Sequence, residues 1–240
     1  MQAMEATWPP ATIRRLGPWI LRDGQGGGKR VSAASLDGPF DPAAIACAEG
    51  AMQAAGLRPL FQLDPSQPAL DVALAARGYA LVDPVVIYAA DLSDLPQDLP
   101  PGMTSFPHWP PLGIAADLWA EGGIGPERLA VMHRATGPKT AILGRSLDRA
   151  AGVVFVALHG PVAMLHALEV TAPARRRGTG RSLLAAAAHW ARGVGAGSLS
   201  LAVTTANAPA RALYASFGLR AVGHYHYRQL AAGSEAIRGA

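Results

Sequence analysis

Two stretches carry the reading of this chain: residues 164–181, MLHALEVTAPARRRGTGR, and residues 207–219, NAPARALYASFGL. The first begins with apolar residues at strand spacing and turns at Pro173. It then passes through four arginines and two glycines into the alanine- and leucine-rich segment 182–192. A strand that leads through a glycine-bearing turn into a helix leaves the first helical N–H groups without acceptors and aims the positive end of the helix dipole at one spot. Such a spot binds anions, and a pyrophosphate fits it. Gly178 and Gly180 let the backbone approach phosphate oxygens, while Arg175, Arg176, Arg177 and Arg181 surround them with positive charge. The second stretch starts with Asn207 as an N-cap and sets Pro209 in the first helical turn. It puts Tyr214 near the middle of a short helix and closes at Phe217, Gly218 and Leu219.

Outward from these stretches, apolar periodicity predicts strands at 140–143, 152–158, 162–170 and 199–203, with helices at 113–120, 126–135, 180–192 and 208–217. Residues 219–230 read as extended. Residues 91–102, DLSDLPQDLPPG, break the pattern with three prolines and three aspartates, and read as a linker. Before it, residues 19–22 and 81–88 read as strands and 42–55 and 69–77 as helices, the second closed by Gly78. Strands with helices inserted between them predict an α/β chain with a mixed sheet, in two domains, 1–95 and 103–240.

With 240 residues, 50% hydrophobic and 16% charged, the chain can bury a sizeable core. Its apolar runs are too short for a bilayer span, and its first thirty residues lack a secretory signal pattern. Cys47 is the only cysteine, which excludes an intrachain disulfide and a clustered-thiolate metal site and predicts a cytoplasmic setting. The net charge is +4, most of the arginines lie singly among apolar residues, and Lys29 and Lys139 are the only lysines. That distribution does not read as a nucleic-acid footprint. Residues 24–29, GQGGGK, imitate a phosphate loop but fail its pattern: Asp23 stands where a glycine is required and Arg30 where Ser or Thr is required. They read as a flexible turn. His224 and His226 alternate with tyrosines and could line an acceptor pocket or form an exposed edge, but without a third ligand they predict no metal site.

The chain resembles the GNAT superfamily of acyl-CoA-dependent N-acetyltransferases. Arg175, Gly178 and Gly180 match its loop pattern Q/R-x-x-G-x-G/A, and Asn207, Ala210, Leu213, Tyr214 and Gly218 match N-x-x-A-x-x-L-Y-x-x-x-G-F, with Leu219 in place of the final phenylalanine. The resemblance covers residues 103–230. It implies an acetyl-CoA cosubstrate whose pantetheine arm runs beside Leu168, Glu169 and Val170 and whose pyrophosphate sits over Arg175, Arg176, Arg177, Gly178, Thr179, Gly180 and Arg181. It further implies that Asn207 holds the arm and that Tyr214 stands near the thioester sulfur. The first half is similar to the amino-terminal half of tandem GNAT-like proteins, on residues 8–10, 17–22, 29–32 and 70–79. It lacks the loop pattern, so it is expected to be a degenerate copy with a structural and substrate-shaping role. The predicted activity is acetyl transfer to a primary amine of a small molecule or a protein, by a monomer or homodimer. A non-catalytic acyl-CoA-binding module is the alternative.

Acetyl transfer needs a base for the amine and a proton or hydrogen bond for the departing thiolate. Tyr214 suits the second task, because an ordinary phenol is protonated at pH 7 and lies close to a thiol in acidity. For the base, strand alternation over 164–170 sets Met164, His166, Leu168 and Val170 on one face and Leu165, Ala167 and Glu169 on the other. His166, in a position where polyamine-acetylating relatives carry a glutamate, is the first candidate. Glu169, turned away by the same alternation, and a bound water follow. Ala202 fills the other strand position from which relatives supply a carboxylate.

Overall fold

The computed structural model describes residues 2–98 and 102–230. In chain order the elements begin with α1 (Gln2–Thr7), β1 (Thr12–Leu16), β2 (Trp19–Asp23), β3 (Ala34–Leu36), α2 (Ala44–Ala54), β4 (Leu60–Leu63), α3 (Pro68–Ala76) and β5 (Tyr79–Asp91). They continue with β6 (Ser105–His108), α4 (Gly113–Glu121), α5 (Pro126–Arg134), β7 (Lys139–Ser146), β8 (Arg149–His159) and β9 (Val162–Val170). The last are α6 (Thr179–Gly193), β10 (Ser198–Thr204), α7 (Ala208–Phe217) and β11 (Arg220–Leu230). They form two units. The first takes the residues up to Pro9, Ile87–Val203 and Asn207–Gly223; the second takes Pro10–Val86, Thr204–Ala206 and the chain from His224 on. The division therefore does not follow the boundary expected around 96–102: the N-terminal helix and the end of β5 belong with the C-terminal strands.

In the first unit the strands run β5-β10-β9-β8-β7-β6. β6, β7, β8 and β9 pair antiparallel, and β9 pairs parallel with β10. Such a mixed sheet needs a crossover, and α6 supplies it between β9 and β10. Its alanines favour helix and give it a slim face, so Leu183, Leu184, Ala186, Ala187, Ala188 and Ala191 are all buried. Gly144 and Gly152 lie opposite each other on β7 and β8, and a Cβ on either would stand only 3.0–3.1 Å from the Leu183 side chain. This notch receives Leu183 and fixes where the helix begins. On the other face, α1 and α4 pack over β8 and β9, with Trp8 edge-on to Phe155 at 6.1 Å.

The second unit has strand order β1-β2-β3-β4-β11-β5, also mixed, with β3 and β4 parallel and β4 and β11 antiparallel. Trp19, Leu21, Ile45, Met52, Phe61, Leu63, Leu70, Leu74 and Tyr79 form its core. Each fully buried side chain of this size contributes roughly 1.5–3 kcal/mol. Asp71 on α3 receives the Arg228 guanidinium at 2.7 and 3.0 Å and meets His226 Nε2 at 2.7 Å, which clamps the helix to β11.

The strands and helices expected from periodicity are all present. Several short elements were not expected, for identifiable reasons. β4 is a fully buried LFQL between prolines, too short to display a period. β6 contains Pro107, which an edge strand tolerates. α1 has six residues, too few to hold a helix without packing against β8 and β9. The expected linker is partly a packed strap. Leu92 and Leu95 are buried, and the Arg192 guanidinium donates to the carbonyls of Leu92, Leu95 and Pro96 at 2.7–3.2 Å. Residues 99–101 of that linker lie outside the described residues.

Candidate cofactor and acyl-transfer site

β9 and β10 pair only as far as Leu165 and Leu201, so β9 runs on through residues 166–170 without a β10 partner. Just past this divergence the ladder with β8 slips: His166 faces Phe155 but Glu169 faces Val153, leaving two residues of β9 opposite Val154 alone. Ala167 takes φ 50° there, and its carbonyl accepts from the Trp119 indole N–H at 2.7 Å. This is a β-bulge, and it changes the alternation. Phe155 and Val153 share a face, so their partners His166 and Glu169 share it too. The expectation that Glu169 turns away from His166 fails because one extra residue separates them. A left-handed alanine is not legible from a period-two pattern.

Beyond β9 a short 3-10 turn, Ala172–Ala174, leads to Arg176 in the left-handed region (φ 61°) and Gly178 (φ 85°), which caps α6. A non-glycine residue in that region is costly and recurs at ligand-holding turns. The first helical N–H with an intrahelical acceptor is that of Ser182, on the Gly178 carbonyl at 2.9 Å. The N–H groups of Thr179, Gly180 and Arg181 thus stand at the start of the helix with the dipole behind them. A Cβ on Gly178 would meet nothing within 4 Å, so the turn is open; one on Gly180 would lie 2.9 Å from the Leu213 side chain. Gly180 therefore also lets α7 pack against α6.

The loop side chains divide. The Thr179 hydroxyl donates to the Ala174 carbonyl at 3.2 Å and braces the turn. Arg181 donates to the Ser216 carbonyl and lies over the Phe217 ring, tying the start of α6 to the end of α7. Arg176 and Arg177 are exposed. Arg175 donates through Nε to the Val170 carbonyl at 3.0 Å and through Nη2 to Glu169 at 3.2 Å.

Asn207 caps α7 by accepting from the Ala210 N–H at 3.1 Å, which leaves its amide nitrogen as a donor. Tyr214 on α7 is 6% exposed and faces the Tyr88 ring at 6.0 Å. Burial pushes its phenol up to about 12. His166 is 5% exposed, with its ring 5.0 Å from Trp8. Thr7 Oγ1 lies 2.9 Å from His166 Nε2 and 2.7 Å from the Ala3 carbonyl. The single hydroxyl proton of Thr7 serves that carbonyl, so His166 Nε2 carries the hydrogen and donates to Oγ1. Thr7, Trp119, Tyr88 and Gly122 escape a reading of the sequence: their roles depend on a bulge and on an N-terminal helix that no periodicity announces.

Residues 117–219 match the family model described as the acetyltransferase (GNAT) family. Over those residues the chain is similar to that family. The match ends at Leu219, the last residue of the Asn207 stretch, and includes the loop and Tyr214. Among solved structures, a GCN5-related N-acetyltransferase from Kribbella flavida is similar at TM-score 0.72 and 20% identity, over 97% of this chain and 94% of that one. A tandem GNAT protein from the clavulanic acid biosynthesis pathway is similar at TM-score 0.62 and 16% identity, over 94% and 86%. A putative acetyltransferase of the GNAT family from Novosphingobium aromaticivorans gives 0.59 and 15%, over 93% of each chain. At these identities the likeness is one of fold, and it extends over both units of this chain. No curated protein matches the sequence. Among the described residues, no helix is long and apolar enough to cross a membrane.

Proposed function

We propose that the protein transfers an acetyl group from acetyl-CoA to a primary amine, with the first unit holding the cosubstrate and the second a degenerate GNAT-like copy that holds none. The observation that carries this reading is the row of acceptor-free N–H groups at the start of α6, behind an open Gly178 and beside the end of β9 that has parted from β10. A pyrophosphate suits those donors, and the Asn207 amide nitrogen and the backbone of 168–170 suit the amides of a pantetheine arm. Acetyl-CoA supplies the thioester.

The protein's own groups handle protons and charge. His166 takes the amine's proton, with Glu169 on the same face as the next candidate. The Tyr214 hydroxyl donates a hydrogen bond to the sulfur as it gains charge. At about 12 this phenol is a much weaker acid than an ordinary thiol near ~8.5, so full proton transfer to sulfur would run uphill by about 5 kcal/mol. Tyr214 therefore stabilises the thiolate without giving up its proton, and solvent protonates the released thiolate.

One observation favours the alternative of an acyl-CoA-binding module without turnover: His166 is buried, with Nε2 committed to Thr7. Thermal melts with CoA, followed by free-thiol detection across a panel of amines with acetyl-CoA, separate the readings. Stabilisation with thiol release supports the enzyme, stabilisation with release at background supports the module, and a flat melt across millimolar CoA sinks both.

A further inference from the structure

Glu169 and Arg175 form an ion pair across the mouth of the cofactor loop, and its two halves belong to different parts of the chemistry. Arg175 is the first residue of the loop pattern, with its side chain 62% exposed. The Glu169 side chain is 24% exposed and lies over Gly122, where a Cβ would stand 2.6 Å from its Cγ and 2.7–2.9 Å from its carboxyl group. A side chain at 122 would push the carboxylate away, so the bare glycine gives it its seat. Because of the bulge at Ala167, that carboxylate lies on the face of β9 that carries His166.

We propose, on the basis of the acyl-CoA reading above, that the cofactor's pyrophosphate and the Glu169 carboxylate compete for Arg175, so that cofactor uptake releases Glu169. A guanidinium serves one anion well at a time, and a pyrophosphate at the start of α6 offers it more charge than one carboxylate. The released carboxylate, still seated at Gly122 and on the same face of β9 as His166, then receives the positive charge of a protonated amine. A partly exposed ion pair is weak, which suits a contact that must exchange on each turnover.

The test is a double-mutant cycle on CoA affinity, measured by calorimetry on the full chain with Glu169→Gln, Arg175→Met and the pair. Glu169→Gln should tighten CoA about three- to fivefold, the range such a pair allows. In the Arg175→Met background the same change should do nothing. Glu169→Asp, which keeps the charge but shortens the reach, should behave like Glu169→Gln. Equal tightening in both backgrounds, or a Glu169→Asp variant identical to wild type, means that only the local field matters and overturns the proposal. Wild-type protein that takes up no CoA overturns the acyl-CoA reading itself, a result distinct from either.

Discussion

Both units contain a glycine-bearing turn that follows a strand, yet the two turns end differently. In the first unit residues 175–178 deliver the chain into α6, fifteen residues long, and the turn stays open in front of its N–H groups. In the second, residues 24–28 deliver it into a 3-10 turn of three residues, Lys29–Val31. That turn folds on itself: a Cβ on Gly24 would lie 2.4–2.9 Å from Val31 and Ser32. Its cations are also engaged, Lys29 with Asp83 at 2.7 Å and Arg30 with the Tyr225 hydroxyl at 3.3 Å. Glycines and nearby positive charge are common to both turns. What makes an anion site is the helix behind the turn, with its aligned N–H groups and its dipole.

The strongest way to break this comparison is to close each turn in the same manner. Saturating CoA at about 100 times its Kd should stabilise wild-type protein by roughly 2.7 kcal/mol. Gly178→Val, forced into φ 85°, should lose that stabilisation and at least a hundredfold in affinity. Gly24→Val should lower the melting temperature by the equivalent of about 1–3 kcal/mol, through overpacking, and keep the full CoA shift. Calorimetry should count one CoA per chain. Two equivalent sites, or a CoA shift lost with Gly24→Val, would mean that the turns have been assigned the wrong way round.

Next in size is His166. His166→Gln should lower kcat by about a hundredfold or more if the ring is the base, and should remove the acid limb of the rate profile. Acceptors of different basicity keep the amine's own ionisation apart. The variant should leave CoA affinity unchanged, since the ring lies on the α1 side of β9 and away from the loop. An unchanged rate and profile would hand the role to Glu169 or to water.

Much of this was legible in the sequence, and the exceptions share a cause. The turn at 175–181 and the helix after it could be read because glycine, arginine and alanine each act there through local physics: backbone freedom, charge and helix propensity. The same holds for the Asn207 cap, whose oxygen accepts from Ala210 as a cap should. The shared face of His166 and Glu169 could not be read, because it depends on a carbonyl at Ala167 captured by Trp119, forty-eight residues earlier. Likewise the tautomer of His166 depends on Thr7, from a helix too short to predict. Local rules found the place where the cofactor fits; long-range packing decides which side chains look at it.

A smaller effect is expected at Tyr214. Tyr214→Phe keeps the ring against Tyr88 and removes the hydroxyl, so CoA affinity should hold while kcat falls roughly ten- to hundredfold, the worth of one hydrogen bond to a developing charge. Because burial raises the phenol to about 12, its ionisation should leave the rate profile flat on the alkaline side up to about pH 11. An alkaline limb near pH 9 that vanishes in Tyr214→Phe would contradict a buried phenol that stays protonated.

The smallest effect sharpens the contrast between charges that are available and charges that are spent. In the second unit, the Arg228 and His226 hydrogen bonds hold the Asp71 carboxyl at about 2, against an ordinary 3.8. A carboxyl whose folded value is depressed binds fewer protons folded than unfolded between those two values. Its contribution to stability is therefore complete above about pH 4 and is lost as pH falls toward 2. With 30% of the side chain exposed, solvent screening reduces that contribution to about 1 kcal/mol. Asp71→Asn should remove it at pH 7 and flatten the stability curve between pH 4 and 2. CoA affinity should be unchanged, because the clamp joins α3 to β11 within the second unit and its charges are already satisfied there. A CoA affinity that moved with Asp71 would show that the second unit's charges reach the cofactor after all, and the distinction between the two units would have to be drawn elsewhere.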